Sequence, residues 1–506
     1  MAEMKQSIVL YPASPGSHHM VSIVELGKLI SQRHPNLSIT VLLDTSSPLA
    51  KSSYINHLLS SNSAPDQARI SFFTLPALSL PQPDAQTRPE RVHQLRLQTV
   101  PNVLQALKTI SLTSKVLAFI TSLWHHPYDP EIPTYYYFTS CASALALFLY
   151  FPTVHDQTPE SFKDRNDDVV EYPGLPALRG SQMPGPILDR NEAEYDFFLY
   201  FASCLPKAKG IITNTFQELE PRAIKAIKEG VCVPNHQTPP LYHIGPLISD
   251  SENRSIQGGS PMPTNCSTLW LDKQPSRSVV YLCFGSRGTF SEEQFKELAI
   301  GLERSKLRFL WVVKSQLDLE VLMPQGFLER TKDRGLVVTS WAPQVAILSH
   351  ESVGGFVTHC GWNSITEAVT YGVPMVAWPL YAEQEVNSVV LVEEMKLAIP
   401  VFEVPSKSKQ GLVSADEVEK KVLRLMDMES EEGKSLRERC QAVKEMGLAA
   451  WRNGGSSFTS FSELMELTTL GDQLQTHFHI SKPWFVTLIV HFASLKVHRM
   501  LYHNKG

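Results

Sequence analysis

Short apolar runs alternate with amphipathic stretches along most of this chain, and that alternation restricts its fold more than any other feature. Residues 7–11 have the composition of a buried strand, residues 20–34 place apolar side chains at helical spacing, and residues 38–43 resemble a second buried strand. A strand, a helix and a strand in this order form a βαβ unit, whose two strands are parallel. The beginning of the sequence therefore predicts an α/β domain built on a parallel sheet.

The alternation starts again in the second half, after a polar interruption. Residues 249–265 are rich in Gly, Pro and Ser and offer little to bury, which is typical of a linker. Because one hydrophobic core rarely extends beyond about 250 to 300 residues, a chain of 506 residues is expected to divide. We expect an N-terminal domain at 1–247, a linker at 248–265, a C-terminal domain at 266–467 and an atypical tail at 468–506.

The same patterns predict further elements in both halves. Strands are expected at 132–138 and 210–213 in the first half, where residues 78–86 and 172–186 read as proline-rich loops. In the second half the predicted strands are 279–284, 309–313, 336–339, 355–358 and 374–378, and the predicted helices are 291–306, a segment near Val345, 363–371 and 384–395. Two doubly wound domains result, and such domains bind ligands beyond the carboxyl ends of their strands.

Composition argues against several classes of function. Charged residues make up 19% of the chain and the net charge is -5, so no broad basic surface for nucleic acid is expected. The 7 cysteines are odd in number and lack CxxC spacing, which predicts neither a disulfide framework nor a zinc site and fits a reducing, cytoplasmic compartment. We expect no signal peptide and no membrane span, because the late apolar stretch 484–495 is shorter than the roughly 20 residues that a span needs.

The segment 354–364 reads as a strand, a tight glycine turn and the start of a helix. The N-terminus of a helix offers N–H groups and a partial positive charge, and a glycine such as Gly361 lets the backbone approach a ligand closely. His359 and Ser364 add side-chain donors, so the segment predicts a diphosphate site. For isolated residues the commoner explanation would be that Asn363 or Ser364 caps the helix and that His359 is structural.

A longer pattern decides between these two explanations. Trp341-Ala342-Pro343-Gln344, the run from His359 to Ser364, Glu367 and Glu383-Gln384 are similar to the signature segment of plant secondary-product UDP-glycosyltransferases. A weaker likeness extends from about residue 7 to residue 467. The resemblance implies the GT-B fold, with two facing Rossmann-like domains, and a hexosyltransferase of secondary metabolism that transfers a sugar from a UDP-sugar with inversion. It implies no metal or other cofactor, UDP-glucose being a co-substrate.

The resemblance also implies how the uridine is bound. Trp341 would stack on uracil, for which an indole offers a large π face, and Ala342 and Gln344 would bind its polar edge. Glu367 would accept hydrogen bonds from the ribose hydroxyls. Taken alone, Trp341 would be an ordinary core aromatic and Glu367 a solvated carboxylate on a helix face.

The sugar end of the donor site follows from the same resemblance. Glu383 and Gln384 would bind sugar hydroxyls, and the final glutamine together with Trp362 favours UDP-glucose. Arg287, which follows Ser286, either contacts phosphate or reaches solvent. The complete set of implied donor-binding residues is Thr139, Ser286, Trp341, Ala342, Gln344, His359, Gly361, Trp362, Asn363, Ser364, Glu367, Ala382, Glu383 and Gln384.

Two adjacent histidines, His18 and His19, follow the first predicted strand and are candidates for a general base. Transfer to a phenol needs a group that takes the hydroxyl proton, and histidine titrates near neutral pH. At the start of a helix the dipole disfavours imidazolium, so the ring stays able to accept a proton. The resemblance selects His19, because the run that begins at Val21 follows it, and leaves His18 as a neighbour or surface residue.

The acidic partner that the resemblance implies for this histidine is missing. Thr121, at the end of the run 117–121, occupies the expected aspartate position, and a threonine cannot carry the balancing negative charge. Three explanations remain open: a substitute acid such as Asp129 folds back, His19 works poorly alone, or a segment is absent from this sequence. The unusual stretches 122–131 and 468–506 favour the third.

The acceptor is expected between the domains, lined by N-terminal loops such as 78–86 and 170–183. Residues 152–155 and 170–176 resemble flavonoid-type members of the family, which favours a flavonoid or related phenolic acceptor. The alternative function is a UDP-sugar-binding protein with little or no turnover, because Thr121 replaces the acid. A nicotinamide oxidoreductase is disfavoured, since no GxGxxG motif follows the first strand.

Overall fold

The computed structural model describes residues 4–12, 17–44, 70–77, 88–122, 131–249, 265–315, 317–339, 341–403 and 411–477. The chain forms two compact units, Met1–Phe461 and Ser462–Gly506. The first unit contains both large sheets and all of the predicted site residues. Of the second unit the structure describes the end of one helix.

Two parallel sheets carry the predicted site residues. One sheet has seven strands in the order β3-β2-β1-β4-β5-β8-β9, and the other has six in the order β12-β11-β10-β13-β14-β15. Antiparallel β6 and β7 form a separate ribbon. The strands are β1 Lys5–Tyr11, β2 Ser38–Asp44, β3 Ile70–Leu75, β4 Ser114–Thr121, β5 Thr134–Phe138, β6 Val169–Val170, β7 Leu178–Arg179, β8 Gly210–Thr213, β9 Leu241–His243, β10 Val279–Cys283, β11 Arg308–Val313, β12 Gly335–Thr339, β13 Val353–Thr358, β14 Met375–Ala377 and β15 Ala398–Pro400.

Helices connect the strands, as parallel pairing requires. Ser291 caps one of them by accepting a hydrogen bond from the backbone N–H of Gln294, whose side chain binds the backbone of Val413 instead of completing a capping box. The helices are α1 Ser17–Arg33, α2 Arg88–Ser111, α3 Ala142–Gln157, α4 Ala193–Cys204, α5 Pro221–Lys228, α6 Asn265–Leu271, α7 Glu292–Ser305, α8 Leu319–Leu322, α9 Phe327–Thr331, α10 Gln344–Leu348, α11 Trp362–Tyr371, α12 Gln384–Val389, α13 Ala415–Met426, α14 Glu431–Ala450 and α15 Ser456–His477.

The central strands are buried on both faces, which explains why their sequences are continuous apolar runs. All five residues of β5 are buried, and the six residues of β13 are buried as well. Two glycines in β13 make room for α13, since a Cβ on Gly355 would lie 2.5 Å from the Cδ2 atom of Leu425. The sheet thus packs closely against this helix.

The predicted α/β fold with two Rossmann-like, doubly wound sheets is confirmed. Several boundaries differ from the predicted ones. The strand expected at 132–138 begins at Thr134, because Pro133 has no N–H to donate to the ladder. The helix expected at 384–395 consists of α12 and a π-helical turn, Val390–Glu394. Residues 250–264 of the predicted linker, the loop 78–86 and most of the tail lie outside the described residues, and Asn265, the last predicted linker residue, begins α6.

The loop expected at 172–186 is not entirely irregular, because it contains β7 and two short 3-10 turns, Gly180–Gln182 and Gly185–Ile187. Within the described parts of the chain, no helix combines the length and the apolar character that crossing a membrane requires.

Candidate active site

The turn between β13 and α11 holds the imidazole of His359 between two glycine backbones. A Cβ on Gly285 would lie 2.4 Å from Nε2 of His359, and a Cβ on Gly361 would lie 2.5 Å from the same atom. Gly285 also has φ +74°, a region that favours glycine. Both glycines are therefore required for this ring position, and His359 lies where β10 and β13 end side by side.

The N-terminus of α11 is capped by Gly361, which has no side chain that could accept from the first N–H groups. Asn363 and Ser364 lie within the helix, so the explanation that either residue serves as its N-cap is wrong. A helix N-terminus without a capping side chain, beside a histidine, is a suitable environment for a diphosphate.

A buried hydrogen-bonded cluster connects the predicted uracil and ribose residues. The side-chain amide of Gln344 donates to Oγ of Ser364 at 2.9 Å and to Oε2 of Glu367 at 2.7 Å. The hydroxyl of Tyr281 donates to Oε1 of Gln344 at 3.4 Å. Glu367 is completely buried, so its carboxylate is held in place before any ligand arrives. Sequence reasoning did not identify Tyr281, because it lies in the middle of β10 and reads as an ordinary core aromatic.

Trp341 and Ala342 lie at the start of the segment that leads into α10. The backbone N–H of Trp341 donates to the carbonyl of Thr339 at 2.9 Å, and its side chain is partly exposed, whereas Ala342 is buried. A partly exposed indole can offer one face to a planar ring. Asn363 and Glu367 line a small cleft, together with Ser22 and Thr366.

Glu383 and Gln384 stand at the start of α12 and use their side chains differently. Oε1 of Glu383 accepts a hydrogen bond from the hydroxyl of Ser140 at 2.9 Å. The side-chain oxygen of Gln384 accepts from the backbone N–H groups of Leu380 and Tyr381, at 3.0 and 2.9 Å. The amide group of Gln384 is therefore fixed in orientation by its own loop.

Ala382 has φ +57°, which is unusual for a residue with a Cβ, and its carbonyl accepts from the N–H of Gly185 at 3.4 Å. This bond links the loop before Glu383 to the first half of the chain. The left-handed backbone at Ala382 belongs to the same turn that orients the two side chains after it.

His19 lies in the first turn of α1 and is partly buried. Its Nδ1 atom is 2.7 Å from the hydroxyl oxygen of Thr139, the residue that follows β5. Thr121, at the end of β4, is fully buried, and its hydroxyl has no hydrogen-bond partner among the residues that the structure describes. Asp129, the proposed substitute acid, lies outside the described residues.

Several hydrogen bonds around this site join the N-terminal and C-terminal halves of the chain. The indole N–H of Trp362 donates to the backbone carbonyl of Asn214 at 2.7 Å, and the amide of Asn363 donates to Oγ of Ser22 at 3.2 Å. Because the indole of Trp362 is buried in this contact, any sugar contact of Trp362 would fall to its backbone. The partners Asn214 and Ser22 carry no sequence signal of their own.

Asn387 also joins the two halves of the chain through hydrogen bonds. Its Nδ2 group donates to the carbonyl of Cys360 at 2.9 Å, and the thiol of Cys141 lies 3.1 Å from its Oδ1 atom. Burial and the nearby Glu220 carboxylate raise the pKa of the Cys141 thiol well above its usual value, so Cys141 stays protonated and can donate this bond.

Ser286 and Arg287 follow the turn at Gly285 and are both exposed. The ammonium group of Lys314 donates to the carbonyl of Ser286, and the guanidinium of Arg287 lies 5.3 Å from the centroid of the Tyr381 ring. Burial raises the pKa of Tyr381, with the Arg287 charge acting in the opposite direction. Arg287 therefore packs on an aromatic ring at the edge of the diphosphate region.

Across the described ranges, no group of three or more His, Cys, Asp or Glu side chains is arranged to hold a metal ion.

Known proteins resemble this chain over most of its length. A family model described as UDP-glucoronosyl and UDP-glucosyl transferase matches residues 251–424. UDP-glycosyltransferase 88F3 of Pyrus communis is 48% identical over 480 residues, covering 90% of this chain and 98% of that protein. Phloretin 2'-O-glucosyltransferase of Pyrus communis is 47% identical over 482 residues, covering 90% of this chain and 98% of that protein.

Solved structures agree with these sequence relatives. The structure of Phytolacca americana UGT2 complexed with UDP-2fluoro-glucose and pterostilbene superposes with a TM-score of 0.78 at 35% identity. The match covers 92% of this chain and 100% of that chain. The likeness therefore includes both sheets.

Proposed function

The chain belongs to the plant UDP-glycosyltransferase family, and from this premise we propose that it transfers glucose from UDP-glucose to a hydroxyl of a flavonoid or related phenolic, with inversion. One observation carries the proposal. Thr139 contacts His19 and the next residue, Ser140, contacts Glu383, so the proposed base and a proposed sugar-binding carboxylate meet at the end of β5. This is the juxtaposition that transfer from a sugar to a hydroxyl requires.

The proposed chemistry is a single displacement with His19 as general base. Nε2 of His19 takes the proton of the phenolic hydroxyl while the phenolic oxygen forms a bond to the anomeric carbon of glucose. The bond from that carbon to the β-phosphate oxygen breaks, and UDP leaves with the electron pair. Attack opposite the leaving group inverts the anomeric centre.

The donor is proposed to bind along the carboxyl edge of the second sheet. Trp341 stacks on uracil, Glu367 accepts from the ribose hydroxyls, and the diphosphate lies at the N-terminus of α11 beside His359. The hydrogen bonds from Gln344 to Glu367 and Ser364 support this arrangement, because they fix both side chains in advance. Ser286 and the backbone of Gly361 complete the phosphate contacts.

Glu383 and Gln384 are proposed to bind the glucose hydroxyls, and Thr139 and Ala382 to lie beside the sugar. The fixed amide of Gln384 supports a preference for one sugar, since an oriented donor discriminates between hydroxyl positions. A relative named for phloretin and a structure with bound pterostilbene support a phenolic acceptor. The 7 cysteines are all free thiols, which supports the proposal of a reducing, cytoplasmic compartment.

Replacement of His19 tests the proposed base. With UDP-glucose and phloretin as substrates, His19→Ala is expected to lower UDP release at least about 100-fold, the usual contribution of a general base, while UDP affinity stays unchanged. His18→Ala is the matched control and is expected to retain activity. Unchanged UDP release in His19→Ala would exclude His19 as the base.

A second candidate function is supported by Thr121. Its hydroxyl makes no hydrogen bond among the described residues and it brings no negative charge to the site, so the chain would bind UDP-glucose with little turnover. Calorimetric UDP binding without glucosylation of any phenol in a panel would favour this alternative.

A further inference from the structure

Thr121 ends β4 and Thr139 follows β5. Of these two threonines, only Thr139 is hydrogen-bonded to the proposed base. β4 and β5 pair in parallel, with Thr121 opposite Tyr136, so both strands end at the same edge of the sheet. The hydroxyl oxygen of Thr139 lies 2.7 Å from Nδ1 of His19. The hydroxyl of Thr121 is fully buried and, among the described residues, has no hydrogen-bond partner.

We propose that Thr139 is the positioning residue of His19, its hydroxyl oxygen accepting a hydrogen bond from Nδ1–H and leaving Nε2 as the basic nitrogen. This inference rests on the proposed function, in which His19 is the general base. In a neutral imidazole one nitrogen carries the proton, and the hydrogen bond made by that nitrogen determines which tautomer is present. An acceptor at Nδ1 therefore selects the tautomer that can take a proton at Nε2.

A hydroxyl performs this task differently from a carboxylate. It has one donor hydrogen and two lone pairs, whereas a carboxylate only accepts. Thr139 can thus accept from His19 while its own hydrogen stays available to a second acceptor. It orients the ring without adding a charge.

The backbone around Thr139 is held firmly, which makes it a suitable support. Ser140 binds Glu383, and Cys141 caps α3 by accepting from the N–H of Ala144 at 3.1 Å. The buried Glu220 carboxylate accepts from the N–H groups of Ala142 and Ser143, each at 2.9 Å. A rigid support matters because a displacement of about 1 Å at a reacting group can cost on the order of 100-fold in rate.

Three variants separate positioning of the base from other roles. Thr139→Val keeps the shape and removes the hydroxyl, Thr139→Ser keeps the hydroxyl, and Thr121→Val removes the hydroxyl of the neighbouring strand end. Steady-state kinetics with UDP-glucose and phloretin give kcat and both KM values, and thermal melting with UDP titration checks that each variant is folded.

We expect Thr139→Val to lower kcat by about 10- to 100-fold, part of what a general base contributes, with both KM values within about two-fold of the parent chain. Thr139→Ser is expected to restore kcat to within about three-fold, and Thr121→Val to leave it unchanged. A wild-type kcat in Thr139→Val overturns the proposal. A loss confined to the KM for UDP-glucose, or an equal loss of kcat in Thr121→Val, also overturns it.

The tautomer of His19 can be measured without any Thr139 variant. Nitrogen chemical shifts of the ¹⁵N-histidine-labelled full chain, with His19→Gln to assign the signal, distinguish Nδ1–H from Nε2–H. The proposal predicts Nδ1–H in the neutral ring, and an Nε2–H ring would overturn it. If the parent chain glucosylates no phenol, the proposed function fails, whereas the tautomer still decides whether Thr139 accepts from His19.

Discussion

At the scale of single residues, Gly285 and Gly361 decide whether the imidazole of His359 can occupy its position. A Cβ added at either glycine would lie within 2.5 Å of Nε2 of His359, and real Cβ atoms do not approach other atoms so closely. The position of the ring therefore depends on two glycines that follow different strands, β10 and β13. A substitution at either glycine has to displace a side chain that we propose to contact the diphosphate.

Gly285→Ala is predicted to weaken UDP binding by at least about 10-fold, since His359 has to move and the left-handed backbone costs Ala about 1–2 kcal/mol. Gly454→Ala is the matched control, because Gly454 has φ +80° but no atom of the described residues lies within 4 Å of an added Cβ. The control is expected to lose stability but to bind UDP normally. Equal UDP affinities of the two variants in a calorimetric titration would contradict the role of His359.

At the scale of secondary-structure elements, the junction between β5 and α3 connects most of the site. Its three residues Thr139, Ser140 and Cys141 contact His19, Glu383 and Asn387, respectively. The carboxylate that holds the start of α3 is Glu220. A carboxylate at a helix N-terminus satisfies N–H groups and interacts favourably with the helix dipole.

Glu220→Ala is predicted to lower the free energy of unfolding by about 3 kcal/mol or more, because it leaves buried donors unsatisfied. Those donors are the N–H groups of Ala142 and Ser143 and the hydroxyl of Ser143, which lies 2.7 Å from Oε1. Glu229→Ala removes an exposed carboxylate 3.8 Å from Lys225, and less than about 1 kcal/mol is expected. Urea unfolding of both variants makes the comparison, and similar losses would show that Glu220 does not hold α3.

Sequence patterns predict the central strands β10 and β13 well and the edge strands β3 and β9 poorly. The two central strands are buried and appear as continuous apolar runs. In β3 only the first and last of its six residues are buried, and β9 has only three residues, so neither has a clear signal. In the site, the residues of the family signature were identifiable, but Ser140, Tyr281 and Asn387 acquire their roles only through neighbours distant in sequence.

At the scale of the whole molecule, the pH dependence of stability is expected to reflect a buried histidine far from the proposed chemistry. His243 ends β9, and burial, together with the Lys228 ammonium 3.1 Å from its Nε2 atom, lowers the pKa of His243 to about 4. The ordinary pKa of histidine is 6.5, so unfolding takes up a proton below that pH. The neutral ring therefore contributes stability that is present above pH 6.5 and is lost as the pH falls toward 4.

His243→Gln is predicted to remove this contribution to the pH dependence. Between pH 7 and pH 5 the parent chain should lose about 2 kcal/mol more of its apparent free energy of unfolding than the variant does. Urea unfolding at the two pH values measures the difference, and UDP affinity at pH 7 is expected to be equal. Parallel pH profiles for the two proteins would show that His243 is not the group that titrates.

The acceptor is the least predictable property of the whole molecule. The α/β class and the two parallel sheets follow from hydrophobic periodicity, and the proposed donor edge follows from the family signature. Acceptor recognition instead depends on loops, and one of those expected to line it, 78–86, lies outside the described residues. The absence of an acid at Thr121 likewise could be read from the sequence, but the contact of Thr139 with His19 could not.

The most direct test of the central claim is product analysis of the full chain with UDP-glucose and a panel of phenols that includes phloretin. We predict a phenol O-glucoside and UDP in equal amounts, identified by mass spectrometry. The anomeric proton should show a β-linkage, because the α-linkage of UDP-glucose is inverted. Tight UDP binding without a glucoside of any phenol, or an α-glucoside product, would contradict the account.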